Sequence, residues 1–320
     1  MYYNPETQQV AILALASKTL NAPAASGDEP SFAYPHITTS HHHPILLHAI
    51  ADELSAETDT SVSPSQIVDF DLSLYDTQPA CIGGALNEFI FAPRCDNLFS
   101  SFCAVEGIIA ATADASAEDD GRVKMIALWD HEEIGSVSAC GAESNFVDSV
   151  IARIASAFKG KAESDAEAYG RTLARSFLLS CDMAHGFHPA FPEKYEENHR
   201  PRLNAGPVIK TNAKQRYAST SHTTLLLRQV ARRAAALDGG AGGVPLQEYE
   251  VRNDMACGST IGPLVSQKGL RTVDIGCPQL SMHSCREMAG AKDAQALVAL
   301  FKSYFEHFGK VDGVVLEPTD

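Results

Sequence analysis

The apolar run Val123-Lys124-Met125-Ile126-Ala127-Leu128-Trp129 stops abruptly at Asp130-His131-Glu132-Glu133-Ile134-Gly135. The run reads as a buried strand, and the hexapeptide as the turn that leads from it toward a helix. In α/β sheets, ligands and chemistry collect at the carboxyl ends of strands. Two adjacent acids there repel each other and lose hydration unless a cation or a proton satisfies them. The motif therefore points to an α/β sheet with a metal at a strand end.

The rest of the chain repeats the strand–helix alternation. Residues 6–20 are apolar at helical spacing and predict a helix, and 21–39 read as an exposed loop. Ser40 is placed to cap a helix ending near Leu54, with Ile45, Leu46, Ile50 and Leu54 facing inward. Residues 57–65 read as a polar linker, and 68–74 alternate as a half-exposed strand does. Further on, strand 88–92 precedes a helix over 96–111, and strand 123–129 precedes a helix over 143–158. A helix over 169–175 leads to strand 177–184, followed by a loop carrying Pro189, Pro192, Pro201 and Pro207. A helix over 222–237 precedes strand 248–252, and strand 271–275 precedes a helix over 291–308. This order predicts an α/β fold, a mostly parallel sheet flanked by helices.

With 320 residues, 45% of them hydrophobic, the chain can bury one large core or two smaller ones. Twenty-five Lys and Arg against 40 Asp and Glu give a net charge of −15, and no basic run stands out, which argues against nucleic acid. No apolar stretch is long enough for a membrane helix. The polar first ten residues lack a leader pattern, so a cytoplasmic location is expected. None of the eight cysteines forms a C-x-x-C pair, and they read as reduced, buried thiols.

Four segments put metal-type residues at predicted strand ends or turns: Arg94-Cys95-Asp96-Asn97, His131-Glu132-Glu133, Cys181-Asp182-Met183-Ala184-His185 and Ser281-Met282-His283-Ser284. Alone, Asp96 is an ordinary helix N-cap and His283 an ordinary hydrogen-bonded histidine. Asp182 lies within an apolar strand, where a carboxylate needs a partner. Together they offer oxygen and imidazole donors without thiolates, a set suited to catalytic zinc, cobalt or manganese. Of the adjacent pair Glu132 and Glu133, one can face a metal while the other handles a proton.

These residues carry a resemblance to the aspartyl aminopeptidase family, cytosolic dinuclear zinc metallopeptidases that trim N-terminal Asp or Glu. The shared strings are residues 76–80, 88–94 with 96–98, 130–136, 180–188, 196–201, 206–218, 257–263 and 278–288. The resemblance implies zinc as cofactor, with Asp96 bridging two ions, Glu133 and His283 completing one, and Asp182 binding the other. It implies Glu132 as general base and acid, acting on a metal-activated water, and His185 as the group that steadies the tetrahedral intermediate. Lys210 would contact the acidic group of the substrate, His199 would lie near the site, and the turn holding Gly258 and Thr260 would cradle the substrate.

One departure bears on this. The family has a further zinc ligand in a His-x-Asp motif, and none of the twelve histidines here is followed two residues later by Asp. The chain is therefore expected to be truncated at its N-terminus: 1–80 a remnant of an inserted dimerisation domain, 81–320 the catalytic domain without its first segment. One tightly bound ion is expected in place of two. The His41-His42-His43 run reads as an exposed helix start. The expected partners are peptides with an acidic N-terminal residue and, were the dimerisation domain complete, further copies of the chain. The alternative reading is a catalytically impaired or inactive fragment that acts as a binding or oligomer subunit.

Overall fold

The computed structural model describes residues 2–4, 9–11, 42–113, 121–235, 242–255 and 261–316. They gather into two compact units, Met1–Gln78 and Pro79–Asp320.

In the first unit, β1 (Tyr2–Asn4) pairs antiparallel with β2 (Gln9–Ala11). The helix predicted over 6–20 is thus replaced at 9–11 by a strand, and β-branched and aromatic residues such as Val10 and Tyr3 favour extended backbone. The rest of that segment, with Ser40 and His41, lies outside the described residues. Helix α1 (Pro44–Thr58) starts later than the Ser40 cap predicts: the His43 ring accepts from the Ile45 N–H, and Pro44 supplies the first helical position. Leu47, Ile50, Ala51 and Leu54 are buried, whereas Ile45 and Leu46 face out. Residues 68–74 form no strand, since alternation alone does not make one without a neighbouring edge to pair with.

The second unit alternates short strands and helices. Strands β3 (Cys81–Gly83) and β4 (Phe89–Ala92) precede α2 (Cys95–Thr112), α3 (Phe146–Ala157) and α4 (Asp165–Arg175). Then come β5 (Phe177–Cys181), β6 (Ala184–His185), β7 (Val208–Thr211), α5 (Ser221–Arg233) and β8 (Gln247–Glu250). The unit closes with α6 (Ile261–Ser266), β9 (Arg271–Gly276), β10 (Pro278–Leu280), β11 (Glu287–Gly290) and α7 (Ala291–Leu316). Local chemistry sets the helix starts: Ser164 with Glu167, and Thr220 with Thr223, form capping boxes at α4 and α5.

The strands form two sheets, ordered β3-β4-β11-β10-β6 and β5-β9-β7-β8. The α/β class with flanking helices holds, but the pairing is mixed instead of mostly parallel. β5–β9, β7–β8 and β6–β10 are parallel; β7–β9, β10–β11, β4–β11 and β3–β4 are antiparallel. Only long crossovers can join parallel neighbours, and the short link from β10 to β11 forces a hairpin. The main core packs Phe99 and Cys103 of α2, Leu226, Leu227 and Val230 of α5, and Leu297, Leu300 and Phe301 of α7 on Val273 and Ile275 of β9. A separate cluster joins Val147 and Ile151 of α3 to Leu173 of α4, with Trp129 against it. No disulfide links the seven described cysteines; Cys95, Cys103 and Cys277 are buried as expected, but Cys81, Cys140 and Cys285 are exposed. Among the described residues no helix is long and apolar enough to cross a membrane.

Candidate metal centre

Asp96, Glu133 and His283 come together from three separate segments, and their ligand atoms lie within 4.8 Å of one another. His283 Nε2 is 2.9 Å from Glu133 Oε2 and 3.3 Å from Asp96 Oδ2. Asp96 is carried by the irregular first turn of α2, where the Asp96–Asn97 peptide is cis and both residues depart from helical dihedrals. Glu133 lies in the turn after Trp129, closed by N–H donation from Ser136 to the His131 carbonyl and from Gly135 to the Glu132 carbonyl. His283 lies in the link between β10 and β11. Arg94, His131 and His283 adopt left-handed dihedrals (φ 57°, 60° and 61°), a conformation costly for non-glycine residues that clusters at functional sites.

The electrostatics favour a cation. The Asp96 side chain is buried, and its Oδ1 has no hydrogen-bond partner among the described residues. Burial, the facing Asp182 carboxylate and the Glu133 and Glu287 charges push the Asp96 carboxyl up to about 9. Burial, then Asp182 and Glu133, push Glu132 up to about 7. Glu133 is raised as well, by burial first, with His283 opposing. A divalent ion relieves this repulsion and satisfies the orphaned oxygen, so the donor set fits zinc.

Asp182 follows β5, and its N–H donates to the Ile275 carbonyl of β9 at 3.0 Å. Burial disfavours its charge, but the Lys210 ion pair at 2.9 Å outweighs that and holds the carboxyl below its ordinary value. Lys210 itself is 1% exposed. Its ammonium donates to Asp182 Oδ2 and to the Asp182 and Met183 carbonyls, and sits 5.0 Å from the Tyr217 ring centre. The expectation that Lys210 reaches the substrate therefore meets a different arrangement: β7 is a buried strand, so its lysine turns to the nearest carboxylate. Asn97 Oδ1 accepts from the Met183 N–H at 2.7 Å and ties α2 to the same segment.

His185 ends β6 with part of its surface open to solvent, while the protein groups packed around its ring strip it of water; that desolvation, and next the Lys210 charge, lower its imidazole pKa. His199 pairs with Glu196 at 2.6 Å and lies 3.9 Å from Glu248, and no described contact joins it to the carboxylate cluster. Gly258 and Thr260 lie outside the described residues. Glu287 was missed by the sequence reading: it is buried in β11, accepting the Asp96 N–H at 2.9 Å on one oxygen and the His283 N–H at 2.8 Å on the other. Its signal was an acid inside the apolar strand that opens Glu287-Met288-Ala289-Gly290, the same reasoning that singled out Asp182.

The chain matches the family described as aminopeptidase I zinc metalloprotease (M18) over residues 1–305. It is 47% identical to an aspartyl aminopeptidase of Aspergillus oryzae, across 98% of this chain and 64% of that protein. The solved Ape4 in complex with Nbr1 matches with a TM-score of 0.77 and 41% identity, over 93% of this chain and 54% of the other. The mApe1 dodecamer of S. cerevesiae matches with a TM-score of 0.69 and 33% identity, over 87% and 58%. The chain thus spans less than two thirds of the length of the curated relatives it matches.

Proposed function

The chain belongs to the aminopeptidase I zinc metalloprotease (M18) family, and from that premise we propose that it carries the catalytic part of an aspartyl aminopeptidase, removing N-terminal Asp or Glu from peptides with zinc as cofactor. The observation that carries the proposal is the convergence of Asp96, Glu133 and His283, with the second Asp96 oxygen, Oδ1, buried and without a hydrogen-bond partner among the described residues.

In this reading Asp96, Glu133 and His283 hold one zinc ion, and Asp182 with Asp96 borders a second position. Zinc bound here supplies Lewis-acid polarisation of the scissile carbonyl and acidifies water. Glu132 stands next to Glu133 but outside the trio, with its carboxyl raised to about 7. A carboxylate poised near neutrality can take a proton from the attacking water and return it to the leaving amine. His185, kept neutral by its lowered pKa, donates a hydrogen bond to the developing oxyanion. Lys210 holds Asp182 in place, and the 257–263 turn with Gly258 and Thr260, together with His199, remains assigned to the substrate.

Asp182 is already engaged by Lys210, so we assign one tightly bound ion to this chain and weak occupancy of the second position. Residues 81–320 carry the chemistry, and residues 1–80 are a remnant of a dimerisation domain through which copies self-associate where it is complete. The test is metal analysis of purified protein together with hydrolysis of amino-acid p-nitroanilides. One zinc per chain and chelator-sensitive cleavage of the Asp and Glu anilides ahead of the Leu anilide are expected. Two tightly held ions would overturn the ion count, and a preference for the Leu anilide would overturn the substrate.

A further inference from the structure

Strand β6 is held by β10 in parallel register, with Ala184 beside Pro278 and His185 beside Gln279. Backbone bonds bracket the histidine: the Ala184 N–H donates to the Cys277 carbonyl at 2.8 Å, and the Gly186 N–H to the Gln279 carbonyl at 2.7 Å. Gly186 permits this approach, since a Cβ there would lie 2.9 Å from the Gln279 carbonyl oxygen. Side chains at paired positions of a sheet share a face, about 5 Å apart. One row therefore runs Ile90, Ala289, Gln279, His185 across β4, β11, β10 and β6, and of the two cross-strand neighbours of Gln279 only His185 is polar. Gln279 is 1% exposed, and neither its Nε2 nor its Oε1 has a hydrogen-bond partner among the described residues. Cys277, two residues back, directs its thiol to the Asp293 carbonyl instead. A buried carboxamide is costly unless something pairs with it. The His185 ring meets the Tyr249 ring edge-on, 6.3 Å between centres, and makes no hydrogen bond with a described residue. A neutral imidazole carries its proton on one nitrogen only, and what the other nitrogen meets decides which.

We propose that Gln279 is a positioning residue for His185: its carboxamide N–H donates to one ring nitrogen and so keeps the proton on the other, the nitrogen turned to the substrate. The inference rests on the role proposed above for His185, which donates a hydrogen bond to the developing oxyanion and can do so only from a protonated nitrogen. The ladder fixes both backbones, so side-chain rotation alone brings the two groups together. A carboxamide suits the task because it stays neutral and always presents a donor. A carboxylate in its place would only accept. It would draw the proton to the inner nitrogen and leave the outer one unable to donate.

The tautomer can be read directly, from the ring-nitrogen shifts of the full chain labelled with nitrogen-15 histidine, loaded with zinc and held above neutral pH. The His185 signal is identified by its loss in His185→Phe. The wild-type protein is expected to show a single neutral tautomer, Gln279→Leu an averaged mixture of the two, and Gln279→Glu the opposite tautomer. A residue that only filled space would not move this readout. On the Asp anilide, kcat is expected to fall about 10-fold in Gln279→Leu and toward the roughly 10²–10³-fold of a lost oxyanion donor in Gln279→Glu, with KM nearly unchanged. If the variants do not fold, the wild-type spectrum decides alone: a single tautomer, with a cross-relaxation peak between the Gln279 side-chain amide and the His185 ring, supports the pairing. Averaged tautomers in the wild type, no such peak, or an unchanged tautomer in both variants would overturn the proposal. The spectrum needs no turnover, so the two readings fail separately. A tautomer that follows Gln279 in a protein that leaves the Asp anilide uncut would sink the activity and keep the pairing; an indifferent tautomer in an active protein would do the reverse.

Discussion

Glu287 accepts the backbone N–H groups of both Asp96 and His283. A buried carboxylate in that position fixes the geometry of two donors that arrive from opposite ends of the sequence. Groups of this kind, one layer behind the ligands, typically contribute 10–100-fold to metal affinity. Glu287→Gln keeps the volume but can accept only one of the two N–H groups. It is expected to weaken zinc binding by roughly that factor, read by competition with a chelating dye, while the far-ultraviolet circular dichroism stays unchanged. Unaltered affinity would mean that the backbone is held by other contacts. Asp96 and Asp182 show the same economy of placement: one carboxylate is left with an unpaired oxygen, whereas the other is neutralised by a buried lysine.

At the level of elements, the candidate site depends on how closely β9 approaches the chain that follows β5. Gly276 ends β9, and a Cβ added there would lie 1.7 Å from the Asp182 carbonyl oxygen. That is backbone, which cannot swing aside as a side chain can. Gly276→Ala is therefore expected to push the two strands apart, costing about 1–3 kcal/mol of stability and moving Asp182 and Lys210 together. Thermal unfolding and zinc affinity should fall in parallel; a fully stable variant with normal affinity would refute this account. The helices were easier to read than the strands. Ser164, Glu167, Thr220 and Thr223 mark their helix starts by local hydrogen bonds, and α2 and α7 follow the apolar periodicity. Strands depend on distant partners: 68–74 and 123–129 have the composition of strands and pair with nothing described, while β10 and β11 escaped notice because each is so short.

For the molecule as a whole, the crowding of carboxylates in one buried place links stability to pH and to metal. The metal-free fold holds Asp96 protonated up to about 9 and Glu132 up to about 7, both above their ordinary values of 3.8 and 4.5. Between those limits the folded state binds more protons than the unfolded one, so stability falls as pH rises. Asp182, shifted the other way, loses its contribution only toward acid. Chelator-treated protein is therefore expected to melt at progressively lower temperature from about pH 5 to about pH 9, and added zinc to remove that decline while releasing protons. Calorimetric melting at constant ionic strength checks it, and a flat profile without metal would contradict it. From the sequence alone came the donor types, the pairing of Glu132 with Glu133, the helix-flanked α/β class and the family strings, because each depends on residue identity and short-range spacing. The tertiary structure alone decided that β7 is buried and turns Lys210 onto Asp182, that Glu287 ties two donors together, and that Gln279 and His185 stand side by side across β10 and β6. Those outcomes depend on which residues meet across large separations in the chain, and burial then sets their charge and their partners.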